Sequence, residues 1–405
     1  MSQNSKRDAE NETSSGKTGI TRRTLLTTAA AGLGTAMVGG SIEAVADETN
    51  SQERRLVSEL GERSPFENPR RVVRTVLPSS ASKTPLQDLT GFITPSDLHY
   101  ERHHTGIPAV DPDAYALRIE GLVDRPVTLT LSDLKRLPER SDIRYMECGS
   151  NGVRAFAGMV PEMTPADFDG MVSTSQWTGT AFSSLLELVG PRPEATWFEV
   201  EGYDGDWVGS VPMDSRWDDS LIAWGQNGEA LRPEQGYPVR LLLKGHPGGP
   251  NIKWLNRIEF KADPIPEATV RAFSSRFGSK SVITYPAYPN VLAEPGKLVI
   301  SGLAWSGRGK IAQVDISTDG GRTWAAAELQ NPVLPQCQTR FQFTWNWDGG
   351  DALLMSRATD ETGDVQPSLE EARHARETQR DLRHYNTNIR AWAVAADGVV
   401  TFGLS

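Results

Sequence analysis

Cysteine is almost missing from this chain: its 405 residues include only Cys148 and Cys337. Two thiols are too few for a disulfide framework, and without a Cys-x-x-Cys-His run there is no site for covalent haem. Basic residues are scarce as well, with 42 Lys and Arg against 52 Asp and Glu, a net charge of -10 and a pI near 5.3. That balance gives no general attraction to nucleic acid or to an anionic membrane surface. Beyond the N-terminal region no apolar run approaches the ~20 residues that a spanning helix requires, so no membrane span is expected after the leader. With 38% hydrophobic and 23% charged residues and a mean hydropathy of -0.42, disordered, collagen-like and coiled-coil chains are excluded. At ~100–200 residues per domain, the length implies two domains with full cores.

The N-terminus reads as an address. Residues 1–19 are polar, and they lead into Thr21-Arg22-Arg23-Thr24-Leu25-Leu26 and then a weakly apolar Ala/Gly/Thr stretch. This is the twin-arginine export pattern, and Ala44-Val45-Ala46 supplies the small residues of a cleavage site. Residues 1–46 are therefore expected to be a removable signal peptide and the mature protein to be periplasmic or otherwise extracytoplasmic. The twin-arginine route carries folded proteins, which suits a cofactor inserted before export.

Residues 47–95 are charged and punctuated by proline, as in an arm that wraps or links. From 96 to 266, short apolar runs such as Tyr115–Ile119 and Pro238–Leu243 alternate with a helical pattern at Phe182–Val189, which predicts an α+β domain. After Asp263-Pro-Ile-Pro266 the pattern changes. Strands are predicted at 297–304, 310–317, 323–329, 339–347, 352–358 and 388–395, with a hairpin at Thr318-Asp319-Gly320-Gly321. Their regular spacing argues that residues 281–405 form an all-β immunoglobulin-like sandwich. The alternating charges of Glu370–Arg383 read as a solvated helix or loop.

Three segments could carry chemistry. Cys148 closes a strand-like Asp142–Cys148 run and opens Gly149-Ser150-Asn151-Gly152, whose small residues let a bulky ligand approach the sulfur. A thiolate there suits a transition metal or can act as a nucleophile, and burial or pairing with Cys337 is equally open. Arg102, His103 and His104 stand together, and Arg154 follows Cys148 closely. Such cations can clamp an oxyanion, or simply lie scattered on the surface. Gly245-His-Pro-Gly248-Gly249-Pro-Asn251-Ile252-Lys253-Trp254 can offer backbone amides and a point charge to a phosphate, although it lacks the spacing of a nucleotide P-loop.

Taken in order, Tyr100-Glu101-Arg102-His103-His104-Thr-Gly-Ile-Pro, Met146-Glu-Cys148, Gln176-Trp-Thr-Gly, Glu201-Gly-Tyr-Asp204, Gln226 to Arg240, Ile252-Lys-Trp-Leu-Asn-Arg-Ile-Glu, Ser281-Val-Ile-Thr, Ser317 to Trp324 and Ser356 to Gly363 resemble the sulfite oxidase family of molybdopterin enzymes, especially the molybdenum subunits of bacterial sulfane and sulfite dehydrogenases. The resemblance runs from about Thr94 to Thr401. It implies a molybdopterin-binding domain followed by a dimerisation domain, and a homodimer. It also implies a molybdenum–molybdopterin cofactor with Cys148 as its thiolate ligand. Tyr100, Glu101, Arg102, His103 and His104 would line the pterin, with Arg102 and Arg154 facing the substrate. Asp204, Gln235, Arg240, Asn251, Ile252 and Lys253 match further cofactor contacts, Gln235 standing where vertebrate members carry His. The stretch between Pro266 and Ser281 is short and lacks the family's substrate-side tyrosine, leaving Arg276 or Phe277 to line that space.

The implied reaction is molybdenum-dependent oxidation of sulfite, a related sulfur oxyanion or a sulfane. With no haem site in the chain, the electrons would pass to a separate c-type cytochrome. The alternatives are a molybdopterin sulfoxide reductase and a cofactor-free exported binding protein.

Overall fold

In a computed structural model, residues 60–76, 79–156, 159–205, 208–213, 219–265, 276–378 and 386–403 are described. The twin-arginine motif, the cleavage site and the start of the arm lie outside them, as do residues 266–275 between the two halves and 379–385 of the charged run. Arg63–Ser405 forms one compact unit. Among the described residues no helix is long and apolar enough to cross a membrane.

The described strands form five sheets. Three belong to the first half. Val72–Val76, Ser79–Lys83 and Glu101–His103 make a three-stranded antiparallel sheet, so part of the arm is a structural neighbour of the Tyr100–His104 motif. A second sheet orders Glu229–Ala230, Leu221–Gln226, Val172–Ala181 and Glu139–Glu147, with Arg240–Leu242 also pairing to Leu221–Gln226. The third joins Val127–Leu129, Leu117–Gly121, Leu255–Lys261, Trp197–Gly202 and Val208–Pro212, with one parallel pair between Leu117–Gly121 and Leu255–Lys261. This half is richer in strand than the α+β expectation, and its helices are short. Phe182–Val189 is a helix as the periodicity predicts: Phe182, Leu185 and Val189 are buried along one face, and Gly190 at φ +64° ends it by donating its N–H to Leu186 O.

The second half contains two antiparallel sheets around one core. One orders Lys280–Tyr285, Gly296–Trp305, Thr339–Trp347 and Glu328–Leu329; the other orders Ala325–Ala326, Ile311–Ser317, Ala352–Asp360, Ala391–Val394 and Val400–Gly403. The predicted strand at 323–329 is thus two short strands, one in each sheet. Between them the Ala327 N–H donates to Val314 O, so the chain crosses from sheet to sheet there. Gly320 and Gly321 take φ of +74° and +88° in the predicted hairpin, where the Asp319 carboxylate accepts from Thr323 N–H and Oγ1–H. Leu369–Thr378 is a largely exposed helix, as mixed charge implies. The core of this half, with Trp305, Phe341, Trp392 and Phe402, continues into Leu86, Tyr145, Phe168 and Val172 of the first half. The two halves therefore share apolar packing.

Candidate functional site

The strand Glu139–Glu147 changes character along its length. Its first five residues vary in exposure, whereas Arg144, Tyr145, Met146 and Glu147 are all buried as the strand becomes covered on both faces. It pairs with Val172–Ala181 up to Glu147↔Val172 and delivers Cys148 immediately afterwards. The Cys148 N–H donates to Met171 O at 3.0 Å, and its carbonyl accepts from the Asn151 N–H at 2.9 Å. The Gly248 N–H donates to Glu147 O at 2.7 Å. A Cβ at 248 would lie 3.3 Å from Glu147 O and from Tyr100 Oη, so a side chain there would press on both and the Gly245–Asn251 loop sits close against the cysteine. Cys148 Sγ lies 3.3 Å from Ser150 Oγ, both cysteines are free thiols, and Cys337 is buried.

Cys148 opens into a cavity of about 370 Å³. Tyr100, Glu101, Arg102, His103, His104, Asp204, Gln235, Arg240, Asn251, Ile252 and Lys253 all line it with Cys148. Met146, Ser150, Glu234, Gly248, Gly249 and Trp254, each inside or beside a quoted motif, complete the wall. Arg154 is not among the lining residues. The turn after Cys148, with Gly152 at φ +85°, leads into the helical turn Val153–Phe156, where the charge of Arg154 bears on Lys83 instead. Arg276 and Phe277 do not line the cavity either; Phe277 is buried, with its main chain bonded to Gly245 and Gly307.

The cations of the cavity are held in different ways. Lys253 Nζ donates to His103 Nδ1 at 2.7 Å, Arg102 O at 3.1 Å and Glu234 O at 3.3 Å, and lies 4.4 Å from the Trp254 ring centroid. Burial, then the charge of Arg240, pulls its pKa down to about 7. With Lys253 donating to Nδ1, His103 carries its proton on Nε2 and donates to Glu101 Oε2 at 2.8 Å. Burial would raise the Glu101 pKa, but the His103 hydrogen bond and the charge of Arg71 bring it below the ordinary value. Arg71, which no motif singles out, lies 3.1 Å from Glu101 and 3.8 Å from Glu234, and so offsets two of the acids of the wall.

Arg240 donates to Gln235 O at 3.0 Å and Asn251 O at 3.2 Å and stacks 5.0 Å from the Trp177 ring centroid. Burial lowers its pKa to about 10, which keeps it charged at neutral pH, and its buried Nε has no hydrogen-bond partner among the described residues. Gln235 Nε2–H donates to Tyr100 O at 2.9 Å. Arg102 Nη1 donates to Ser79 Oγ at 2.6 Å and also to the carbonyls of Ser80 and His103.

Among the described residues no three His, Cys, Asp or Glu side chains stand together as a metal cage. A single thiol suits only a metal that arrives with ligands of its own. An orphaned Arg240 donor, Lys253 and the Gly248–Gly249 backbone in the same cavity suit an anionic organic group. The residues fit a metal carried on an anionic chelate.

Residues 104–269 match the family described as "Oxidoreductase molybdopterin binding domain", and residues 272–390 match "Mo-co oxidoreductase dimerisation domain". The chain is thus a molybdopterin-binding oxidoreductase with a dimerisation domain. Chicken (Gallus gallus) sulfite oxidase is 30% identical over 315 residues, which cover 68% of this chain and 68% of that protein. The mitochondrial sulfite oxidase of Rattus norvegicus is 27% identical over 345 residues, 75% of this chain and 62% of the relative's length. The crystal structure of the sulfane dehydrogenase SoxCD from Paracoccus pantotrophus aligns with a TM-score of 0.76 and 36% identity over 85% of this chain and 95% of that one. The chain belongs to the sulfite oxidase family, and molybdenum–molybdopterin is its cofactor.

Proposed function

We propose that the protein oxidises sulfite, a related sulfur oxyanion or a sulfane, and passes the electrons to an external c-type cytochrome. The observation that carries this is the convergence of one thiol, Cys148, with Arg102, Arg240 and Lys253 on a single cavity. When bound, the cofactor supplies oxygen-atom transfer and accepts two electrons. The chain's own residues bind and orient. Cys148 presents its sulfur to the metal from a loop whose main chain is fixed by Met171 and Asn151. Arg240, Lys253 and the Gly248–Gly249 backbone would hold the anionic part of the pterin, with Asp204 and Gln235 at its polar edge. Arg102 recognises the substrate: Ser79 and Ser80 fix one guanidinium nitrogen, so the charge is set before an oxyanion arrives. The twin-arginine segment would place this activity outside the cytoplasm, and residues 281–405, read as an immunoglobulin-like sandwich, would pair two copies.

Protein matured with its cofactor should contain molybdenum and pterin and reduce a c-type cytochrome when sulfite is added. Absence of molybdenum after such maturation would overturn the proposal. Nitrate reductase of Brassica napus is 30% identical over an alignment of 303 residues that covers 64% of this chain and 33% of that protein. Reduction of nitrate or of a sulfoxide without any sulfite turnover would therefore move the enzyme to a reductase.

A further inference from the structure

The residue preceding Cys148 is a buried carboxylate. Glu147, 2% exposed, accepts at Oε1 from Lys280 Nζ at 3.0 Å and Asn151 Nδ2 at 2.8 Å, and at Oε2 from Trp305 Nε1 at 2.7 Å. Lys280, 1% exposed, also reaches Asp169 Oδ1 at 2.6 Å, and Asp169 in turn accepts from Arg390 Nε at 3.1 Å. Two carboxylates and two cations thus form a formally neutral, water-excluded chain. None of the four lines the cavity, so contact with cofactor or substrate does not explain them.

Stability does not explain them either, because well-packed apolar side chains commonly match or exceed a buried ionic cluster. What the cluster fixes is a turn. Glu147 and Asn151 bracket it: the Asn151 N–H donates to Cys148 O, and Asn151 Oδ1 accepts the Met171 N–H at 2.9 Å. Asn386 Nδ2–H adds a bond to Gly149 O at 2.9 Å, and Arg390 Nη2–H donates to Asn386 O at 3.1 Å. Lys280, Trp305, Asn386 and Arg390 all come from the second half of the chain. We propose that Lys280 is a positioning residue for the metal-ligating thiol, acting through Glu147 and Asn151, so that the second half sets the cysteine loop of the first. This rests on the reading of Cys148 as the thiolate ligand.

The test uses the full chain with two variants. Lys280→Met combined with Glu147→Gln removes the pair without stranding a charge, since Asp169 keeps Arg390; Glu147→Gln alone keeps the shape but leaves Lys280 and Arg390 to share Asp169. In cofactor-free protein, iodoacetamide alkylation of Cys148 and hydrogen exchange of amides 148–152 report the loop directly. Both should accelerate several-fold or more in each variant, while amides of Leu221–Gln226 keep their parent rates. In cofactor-loaded protein, the electron paramagnetic resonance spectrum of the metal should shift. Equal acceleration in loop and core, or no acceleration in the loop, overturns the proposal, and Glu147→Gln alone decides should the double variant fail to fold. A faster loop with an unchanged metal spectrum sinks the ligand assignment of Cys148 and leaves the brace supported.

Discussion

Cys148 faces the cavity, with Ser150 Oγ 3.3 Å from its Sγ and its main chain bonded on both sides. Cys148→Ser should therefore fold and keep its pterin while losing turnover; retained activity, measured beside pterin content, would remove Cys148 from the metal. Arg102 makes its protein contacts through Nη1. Arg102→Gln should chiefly raise KM for sulfite, at a cost of about 1.5–3 kcal/mol, or roughly ten- to a hundredfold in kcat/KM.

Lys253 gives a pH test. Its pKa is about 7 in the fold against an ordinary 10.5, so between those values the unfolded chain holds more protons, and this group makes the cofactor-free protein more stable as pH rises. Anion binding favours its charged form. Calorimetry of inorganic phosphate with cofactor-free protein should show affinity falling as pH rises above about 7, with proton uptake, and Lys253→Met should flatten that dependence. At this scale the motifs Tyr100–His104 and Asn251–Lys253 were legible in sequence through their match to the family's ordered motifs, and all of these residues line the cavity. Arg71 and Lys280 were not. They reach Glu101 and Glu147 through tertiary register, the latter across 133 positions, which no local pattern records.

Among the elements, the loop Gly245–Asn251 is tightly constrained at its start. Gly245 has φ +73°, and a Cβ there would stand 2.0 Å from Gly307 O, while the Phe277 N–H donates to Gly245 O. Gly245→Ala combines left-handed strain with a backbone collision. It should lower stability by about 2–4 kcal/mol, read as a fall in Tm, and should loosen cofactor retention because Asn251 and Lys253 follow directly. Strand positions in the second half were legible from alternation and turn residues: the strand predicted at 339–347 is Thr339–Trp347. The 323–329 stretch was not, because Ala325–Ala326 and Glu328–Leu329 bond to different sheets, and periodicity reports exposure rather than bonding partners.

In the whole molecule, exposed Val291, Val299 and Val399 lie in the second half, which matches the dimerisation family over residues 272–390. Light scattering of the full chain at micromolar concentration should return a dimer; a monomer would count against pairing through residues 281–405. The two-part composition was visible in the sequence as a change from mixed patterns to regularly spaced strands. The shared core was hidden, since apolar positions of Phe168 and Trp392 look alike whether they pack within a half or across halves.

The bonds that fix the cysteine turn carry a consequence for the order of events in the cell. Glu147, Asn151 and Met171 emerge from the ribosome before Lys280, Trp305, Asn386 and Arg390. Until they arrive, the carboxylate of Glu147 has no lysine and the turn no outer support. On the proposed role of Lys280, a first half without its partner would hold the thiol loosely, and metal and pterin would be retained only once the second half has folded against it.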